Sequence, residues 1–318
     1  MKNSSKITGC KHLDDEQEPN PLQHKLVMSR KDWLQTYIGV ILLLPLRVIL
    51  LLVIHLIGYM IAVIGHFNLQ KSELVNKPIT SSWTKRIKKI LGFLCRTIFQ
   101  VSGLNVTSKG NISSAKEAPI LVMAPHTSYF DAVLMRWSNT PSCVIAEDKI
   151  NIPIYGKVWK LFQYITVQRR DINSRENTEQ EIIRRANLHK HPNPDERWPQ
   201  IALFPEGVIT NGNQLMRFKN GAFKPGKPVQ PVLIRYPNRL DTIKLDRSNP
   251  TQAIWVTLCQ LFTNVELEFL PVYYPSSDEQ TDSEVYANNV RKLMAIKLAV
   301  QLCDISYKEA EQQQKKLK

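Results

Sequence analysis

Residues 119–131 read Pro-Ile-Leu-Val-Met-Ala-Pro-His-Thr-Ser-Tyr-Phe-Asp, an apolar run of strand length followed by a proline, a histidine and an aspartate. Ile120 to Ala124 form an uninterrupted apolar run of strand length, which predicts a strand buried on both faces of an α/β sheet. Pro125 ends the run, so His126 falls in the loop beyond the carboxyl end of the strand. Open α/β sheets bind their ligands at this edge, so the stretch predicts the position of a site as well as a fold class.

His126 and Asp131 stand five residues apart and suggest general-base chemistry. A neutral imidazole takes a proton from a hydroxyl when a partner on its other nitrogen fixes the tautomer and stabilises the imidazolium. A spacing of five does not pair side chains on a regular helix, so we expect a helix that begins at Thr127 or Ser128 and holds Asp131 in its first turns. The alternative is a chance match between a helix-entry histidine and a surface aspartate.

Apolar runs alternate with amphipathic segments along the rest of the chain. The predicted strands are residues 143–146, 164–167, 201–204, 229–234 and 265–270, and the predicted helices are residues 154–162 and 174–188. Such alternation predicts an α/β fold with a mostly parallel sheet flanked by helices.

The composition points to anionic partners. The chain has 42 Lys and Arg against 28 Asp and Glu, a formal charge of +14, which favours phospholipid surfaces, phosphorylated cofactors or nucleic acid. Nucleic acid is not expected, because the chain has neither zinc-finger spacing nor a recognisable RNA-binding signature. The 5 cysteines are scattered without a Cys-x-x-Cys pair, so we expect no disulfide framework, no metal site and a reducing compartment.

The chain divides into five predicted segments. They are a polar mobile tail (1–31), a membrane-embedded segment (32–70), a basic amphipathic helix at the membrane surface (71–102), an α/β domain (103–305) and a polar carboxyl-terminal tail (306–318).

Residues 38–64 are almost wholly apolar, interrupted by Pro45, Arg47 and His55, and are longer than a bilayer core requires. One tilted span and a re-entrant helical hairpin both fit, because Arg47 is close enough to an end to snorkel and Pro45 permits a kink. Residues 82–102 have a basic start and an apolar face, which suits a helix in the headgroup region or one packed on the domain core.

A second cluster of candidate residues follows the other strands. Glu206 comes just after the strand at 201–204, and Gly207 allows a positive φ or a close ligand approach, although an ordinary turn also fits. Arg169 leaves the end of another strand, and Lys219 and Lys224 lie in a loop rich in Gly and Pro. Basic groups held in this way suit a phosphate, whereas basic residues on loops are often only solvated.

The order of these motifs resembles the glycerolipid acyltransferase family, and within it the lysophosphatidylcholine acyltransferase branch. The similarity covers roughly residues 30–305. It is carried by Trp198-Pro-Gln-Ile, Phe204-Pro-Glu-Gly, Phe223-Lys-Pro-Gly-Lys-Pro-Val-Gln-Pro-Val-Leu-Ile-Arg-Tyr-Pro-Asn, Thr257-Leu-Cys-Gln and Val265-Glu-Leu-Glu-Phe-Leu-Pro-Val-Tyr.

The resemblance implies transfer of an acyl group from acyl-CoA, as co-substrate, to a lysophospholipid at a membrane, with no cofactor and no metal. It implies that His126 is the general base and Asp131 its orienting partner, and that Arg169 holds the acceptor's phosphate. Glu206 and Gly207 would shape the acceptor site. The motif containing Pro228 and Pro231 would lie near the substrate channel.

Location follows from the donor, because acyl-CoA is a cytosolic metabolite. We expect an endoplasmic reticulum membrane protein whose active site faces the cytosol. The terminal Lys315-Lys-Leu-Lys resembles a dilysine retrieval signal, or is the solvated end of a polar helix. The residues carry no signal for an oligomeric state.

The sequence departs from the family pattern at three places. Val208 stands where a threonine is usual, and Ile165 stands where a glycine is frequent. No Asp-x-Asp-x-Asp-Gly loop occurs, so calcium regulation through helix-loop-helix units is not expected.

Three alternatives remain open. The same chemistry suits lysophosphatidate, lysophosphatidylethanolamine or an ether lysolipid. The chain could instead be a noncatalytic, membrane-anchored module that binds anionic lipid or nucleic acid. In that case Val208, in place of the usual threonine, would mark a lost activity. A serine hydrolase is disfavoured, since no Gly-x-Ser-x-Gly elbow is present.

Overall fold

The computed structural model describes residues 20–67, 69, 76–131, 141–147, 152, 155–168, 172–245, 247, 249–305 and 307–316. The helices are α1 Arg30–Leu42, α2 Leu44–Gly65, α3 Ser82–Val101, α4 Tyr155–Leu161, α5 Ile172–Asn187, α6 Gln252–Cys259, α7 Ser277–Thr281, α8 Ser283–Leu298 and α9 Tyr307–Lys316. The strands are β1 Leu104–Lys109, β2 Ile120–Ala124, β3 Ser142–Ala146, β4 Ile165–Val167, β5 Ile201–Leu203, β6 Gln214–Met216, β7 Val229–Arg235, β8 Thr263–Phe269 and β9 Gln301–Cys303.

Seven strands form the main sheet in the order β1-β8-β7-β2-β5-β3-β4. Neighbouring strands run parallel except β7 and β8, which are antiparallel, so β1 and β8 oppose the other five. Strands β6 and β9 form a separate parallel pair. The predicted α/β class with a mostly parallel sheet is therefore confirmed.

Strand β2 lies at the centre of the sheet and all of its residues are buried. Ile120 and Val122 pack into one apolar cluster with side chains of α5 and α8. Leu121 and Met123 pack on the opposite face, in a cluster that includes Phe99 of α3. A strand covered on both faces needs apolar residues at every position, which explains why its sequence shows no alternation.

The apolar amino-terminal segment forms two consecutive helices, α1 and α2, that meet at Leu43. Pro45 lies in the first turn of α2, where a missing backbone N–H costs no helical hydrogen bond. Among the described residues, α2 is the helix long and apolar enough to cross a membrane, and its 22 residues span about 33 Å.

Helix α2 contacts the α/β domain from its first turn to its last. Arg47 donates to the backbone oxygens of Leu258 at 2.7 Å and Gln260 at 2.5 Å. At the other end, Gly65 packs against Ile87 of α3. The expectation that Arg47 snorkels toward water is therefore not what the structure shows, because the last carbonyls of α6 lack helical partners and attract this cation instead.

Helix α3 packs on the domain with the apolar face that we assigned to the membrane surface. Ile87, Leu91 and Phe99 are buried, whereas Trp83 and Phe93 are exposed. One side of the helix therefore packs on the domain core, which was one of the two predicted positions. Contact between its exposed side and lipid stays a prediction.

Residues of the two predicted tails contact each other where the structure describes them; residues 1–19 lie outside the described part of the chain. Residues 20–24 pack against α9, and we call these two segments together the terminal clamp. Asn20 Nδ2 donates to the Ala310 oxygen at 2.7 Å. Leu22 joins an apolar cluster with Val208, Met216 and Ala310. These contacts bury Asn20 and Leu22, so a polar composition alone misjudged this segment.

Candidate active site

Parallel strands end at the same edge of the sheet, and this edge carries the candidate site. Strands β2, β5 and β7 are neighbours in one parallel set. His126 follows β2, Glu206 follows β5, and Tyr236 is the first residue after β7. The topology therefore brings together residues that are up to 110 positions apart in the sequence.

His126 and Asp131 form a hydrogen-bonded pair, with 2.9 Å between Nδ1 and Oδ2. The Asp131 side chain is fully buried, and Oδ2 also accepts from the backbone N–H groups of Thr127 at 2.7 Å and Ser128 at 2.9 Å. The Ser128 hydroxyl accepts from Phe130 N–H at 3.2 Å, and the Asp131 carboxylate accepts from Ser128 N–H. Ser128 is therefore the N-cap, which is one of the two predicted helix starts, and Asp131 lies in the first turn. Residue 131 is the first in helical conformation, and residues 132–140 lie outside the described part of the chain.

The carboxylate fixes the tautomer of the imidazole. Because Asp131 accepts, Nδ1 carries the hydrogen and Nε2, on the opposite side of the ring, has an open lone pair. The Phe204 ring stacks on the imidazole with 4.1 Å between the ring centroids and 14° between the planes. The side chain of His126 is 15% exposed, so it remains accessible to a substrate. This geometry suits a general base.

Glu206 is buried behind the histidine, with a relative accessibility of 4%. Its Oε2 accepts from the Thr210 hydroxyl at 3.3 Å, and Thr210 N–H in turn donates to the His126 oxygen at 2.7 Å. Its Oε1 is buried and has no hydrogen-bond partner among the described residues. Burial raises the pKa of Glu206 to about 8, so the side chain is largely a neutral carboxylic acid at pH 7.

Gly207 adopts a φ of +67°, as the sequence predicts for the Pro-Glu-Gly turn. A Cβ atom at Gly207 would lie 2.5 Å from Lys219 Nζ, so the ammonium group covers this glycine. The structure therefore places Lys219 at the Glu206–Gly207 turn, where a substrate phosphate would meet a positive charge.

The other predicted substrate-binding residues lie elsewhere. Lys224 forms an ion pair with Glu179 of α5. Pro231 stands opposite Val122 inside the sheet, and Pro228 precedes β7, at the edge opposite to that of His126. Their roles stay predictions. Arg169 lies outside the described residues.

An apolar cavity of about 310 Å³ lies between α2, α3, α4 and the turn after His126. Tyr129 and Phe130 form its wall on the side of the site, and Leu51, Leu94, Ile98 and Val158 are among the residues that line the rest. Its size falls within the range of small-molecule pockets, and its lining suits a hydrocarbon chain.

Among the residues that the structure describes, no three His, Cys, Asp or Glu side chains are grouped so as to hold a metal ion.

Tyr236 is a site residue that we did not single out from the sequence. Its hydroxyl donates to Asp131 Oδ1, across a separation of 105 residues. Burial and the adjacent carboxylate raise the pKa of Tyr236 well above its usual value, so the hydroxyl keeps its proton and remains a donor. The sequence could have indicated Tyr236 as a site residue, because it directly follows β7, a strand that runs parallel to β2.

The site thus combines an α/β sheet, a histidine–aspartate pair at a strand edge and an adjacent apolar cavity, which is the arrangement expected of an acyltransferase. Residues 103–235 match the sequence profile described as Acyltransferase, so this part of the chain is a domain of that family.

The chain is 40% identical over 294 residues to "Lysophosphatidylcholine acyltransferase" of Drosophila melanogaster, covering 91% of this chain and 54% of that protein. It is also 40% identical over 294 residues to "Lysophosphatidylcholine acyltransferase 2" of Homo sapiens, covering 92% and 52%. The chain thus spans about half the length of the curated relatives it matches.

The solved structure of the 1-acyl-sn-glycerophosphate (LPA) acyltransferase PlsC from Thermotoga maritima has a similar fold. The TM-score is 0.51 at 19% identity, and the similarity covers 81% of this chain and 100% of that one. This likeness supports the fold.

Proposed function

We propose that the protein transfers an acyl group from acyl-CoA to the free hydroxyl of a lysophospholipid, with lysophosphatidylcholine as the acceptor. The observation that carries this proposal is the His126–Asp131 pair, held at 2.9 Å beside an apolar cavity. The names of the relatives support the acceptor class.

His126 performs the proton transfer. Nε2 takes the proton from the acceptor hydroxyl while its oxygen attacks the carbonyl carbon of the thioester. The tetrahedral intermediate collapses with cleavage of the carbon–sulfur bond, and the coenzyme A thiolate leaves. The imidazolium, stabilised by Asp131, then returns a proton to the thiolate, so no acyl-enzyme forms. The remaining acceleration comes from positioning the two substrates side by side.

The cavity between α2, α3 and α4 holds the hydrocarbon chain of the acyl group in this proposal. Tyr129 and Phe130 connect it to the turn that carries His126, so a chain bound there would present its thioester to the imidazole. On the other side of the site, Lys219 binds the acceptor's phosphate, together with Arg169, and Glu206 and Gly207 shape the acceptor pocket.

The protein works at a bilayer. Helix α2 has a mean hydropathy of 2.7 and turns large apolar side chains away from the domain, including Leu46, Ile49 and Leu56. Trp83 and Phe93 of α3 are exposed in the same way. We place these faces in the cytosolic leaflet of the endoplasmic reticulum, because acyl-CoA is supplied from the cytosol.

The noncatalytic alternative used Val208 as a sign of lost activity. In the structure, Val208 is buried in the apolar cluster of the terminal clamp, with Leu22 and Ala310. A valine here has a packing role, so its presence does not argue against catalysis.

The test is an acceptor panel with the purified protein in detergent or vesicles and one radiolabelled long-chain acyl-CoA. We expect labelled phosphatidylcholine from lysophosphatidylcholine, with slower reaction of lysophosphatidylethanolamine and lysophosphatidate. If the protein prefers another lysolipid, that lysolipid is its acceptor and the proposed acyl transfer still holds. Absence of labelled product from every lysolipid, with a folded protein, would contradict the proposed function.

A further inference from the structure

The carboxylate of Asp131 is fully enclosed by hydrogen-bond donors. Its Oδ2 accepts from His126 Nδ1 and from the backbone N–H groups of Thr127 and Ser128. Its Oδ1 accepts from the hydroxyl of Tyr236. Three of these four donors belong to the turn that carries Asp131, and Tyr236 alone comes from a distant part of the chain.

We propose that Tyr236 is a positioning residue of the reaction, which acts through Asp131 to set the orientation and basicity of His126. This inference rests on the proposed function, because it assigns a role within the same proton transfer. Tyr236 touches neither substrate nor the reacting atoms in this account.

The first part of the role is geometric. The Tyr236 hydroxyl holds Oδ1, the oxygen that the three donors on Oδ2 do not contact, so it further restrains the plane of the carboxylate. Tyr236 is suited to this task because it follows the buried strand β7, which pairs directly with β2. The hydroxyl is therefore held by the same sheet that holds His126.

The second part is electrostatic. A hydrogen bond from Tyr236 partly neutralises the Asp131 carboxylate, which then stabilises the imidazolium less strongly. Without this hydrogen bond, the carboxylate would hold the proton on His126 more tightly, and the imidazole would reach its active neutral form only at higher pH. Tyr236 thus weakens the hold of the carboxylate on the imidazolium proton.

Other titratable groups lie near the His126–Asp131 pair and affect the pH dependence of the reaction. Among the described residues these are Tyr236 itself and Glu206, whose carboxyl contacts the backbone of His126 and interacts electrostatically with Asp131. Burial raises the pKa of Glu206 to about 8, so its titration falls on the alkaline side of an activity profile. The acid limb of the profile is therefore the informative readout.

The experiment compares Tyr236→Phe with the wild type in the acyl-transfer assay from pH 5 to pH 9, at saturating concentrations of both substrates. We expect kcat at neutral pH to fall by roughly three- to tenfold, as for one lost hydrogen bond. The acid limb should move up by about half a pH unit, with little change in the KM of either substrate.

A matched control is Tyr273→Phe. Tyr273 also donates to a carboxylate, at 2.6 Å to Glu279 Oε1, but lies near the start of β7, away from His126. The control should leave kcat and the acid limb unchanged. Incorporation of 2,3-difluorotyrosine at position 236 supplies a stronger donor, so it should move the acid limb to lower pH even if Tyr236→Phe proves too unstable to assay.

A double-mutant cycle separates positioning from general packing. If Tyr236 acts through Asp131, adding Tyr236→Phe to Asp131→Ala should cost no further activity, whereas independent effects would multiply. Multiplicative losses, or an unmoved acid limb in both Tyr236 variants, would overturn the inference. Because the wild type is measured alongside, a wild type without any acyl transfer would instead refute the proposed function.

Discussion

At the scale of single residues, Asp131 explains most of the site. A buried carboxylate is tolerated only when its lone pairs are satisfied, and here four donors surround one side chain. The same contacts fix the tautomer of His126, so stability and chemistry depend on one group. The contact between His126 and Asp131 was predictable from their spacing and the strand end before them.

Replacing Asp131 with Asn separates these two roles. The Asn amide can accept on one atom only, so its NH₂ group would face either the three N–H donors around Oδ2 or the Tyr236 hydroxyl. We expect acyl transfer to fall by about 10²–10⁴-fold, the usual contribution of general-base catalysis. The free energy of unfolding should fall by about 1–3 kcal/mol. Kinetics and thermal unfolding check both values, and wild-type activity in this variant would contradict the role of Asp131.

Glu206 gives a prediction about stability and pH. Its pKa is raised by burial from 4.5 to about 8, so between these values the folded protein holds a proton that the unfolded chain releases. Stability contributed by this group is present below pH 4.5 and is lost as the pH rises toward 8. Glu206→Gln does not titrate, so its Tm should exceed the wild-type value by on the order of 5 °C at pH 8 and by little at pH 5.

The control for that experiment is Glu117→Gln, since Glu117 is exposed at the surface. Its Tm difference from the wild type should not change with pH. A Glu206→Gln difference that is equally flat from pH 5 to pH 8 would show that Glu206 is charged in the folded protein.

At the scale of elements, the sheet was far easier to predict than the docking of the helices. The buried strands β2, β5 and β7 are short apolar runs bounded by Pro or Gly, and these local signals are strong. The contacts of α1 and α2 depend on single small or charged residues that meet α6 about 200 positions later, such as Gly39 at Cys259. The spacing of apolar residues along a helix does not indicate which distant helix it will contact.

Two glycines in these helices give a matched test of docking. A Cβ at Gly39 would lie 2.1 Å from the backbone oxygen of Cys259, whereas a Cβ at Gly58 would meet only Leu94 Cδ1 at 3.8 Å. Gly39→Ala should therefore force α1 away from α6 and destabilise the protein by about 1–3 kcal/mol. Gly58→Ala should be neutral or slightly stabilising, because alanine favours a helix.

Thermal unfolding in one detergent measures both variants side by side. Equal Tm values for Gly39→Ala and Gly58→Ala would mean that α1 does not pack closely on α6 in solution.

The terminal clamp shows a second limit of local prediction. Residues 20–24 are mostly polar in sequence, yet they hydrogen-bond to a distant loop, as when Asn211 N–H donates to the Pro21 oxygen at 2.7 Å. Asn211 follows Thr210, which contacts both His126 and Glu206. Polar segments of this kind are buried through backbone hydrogen bonds, and composition does not reveal them.

At the scale of the whole molecule, the fold joins an apolar surface to a polar site. Helices α1 and α2 turn large apolar side chains outward, the cavity opens between α2, α3 and α4, and His126 lies at the adjacent edge of the sheet. A lysolipid in a bilayer has the same layout, with its hydrocarbon chain below and its free hydroxyl at the surface. This layout supports the proposed function, in which a soluble thioester and a membrane lipid would meet at His126.

The proposed function requires the imidazole of His126 to be the base of acyl transfer. The most direct measurement is the rate of labelled acyl transfer by purified His126→Ala, beside the wild type and the control His191→Ala, whose histidine lies at the end of a short 3₁₀ turn away from the site. All three proteins should unfold at similar temperatures and bind vesicles equally. We expect full activity for His191→Ala and a loss of at least about 10²-fold for His126→Ala. A folded His126→Ala protein that transfers acyl groups at the wild-type rate would show that His126 is not the base.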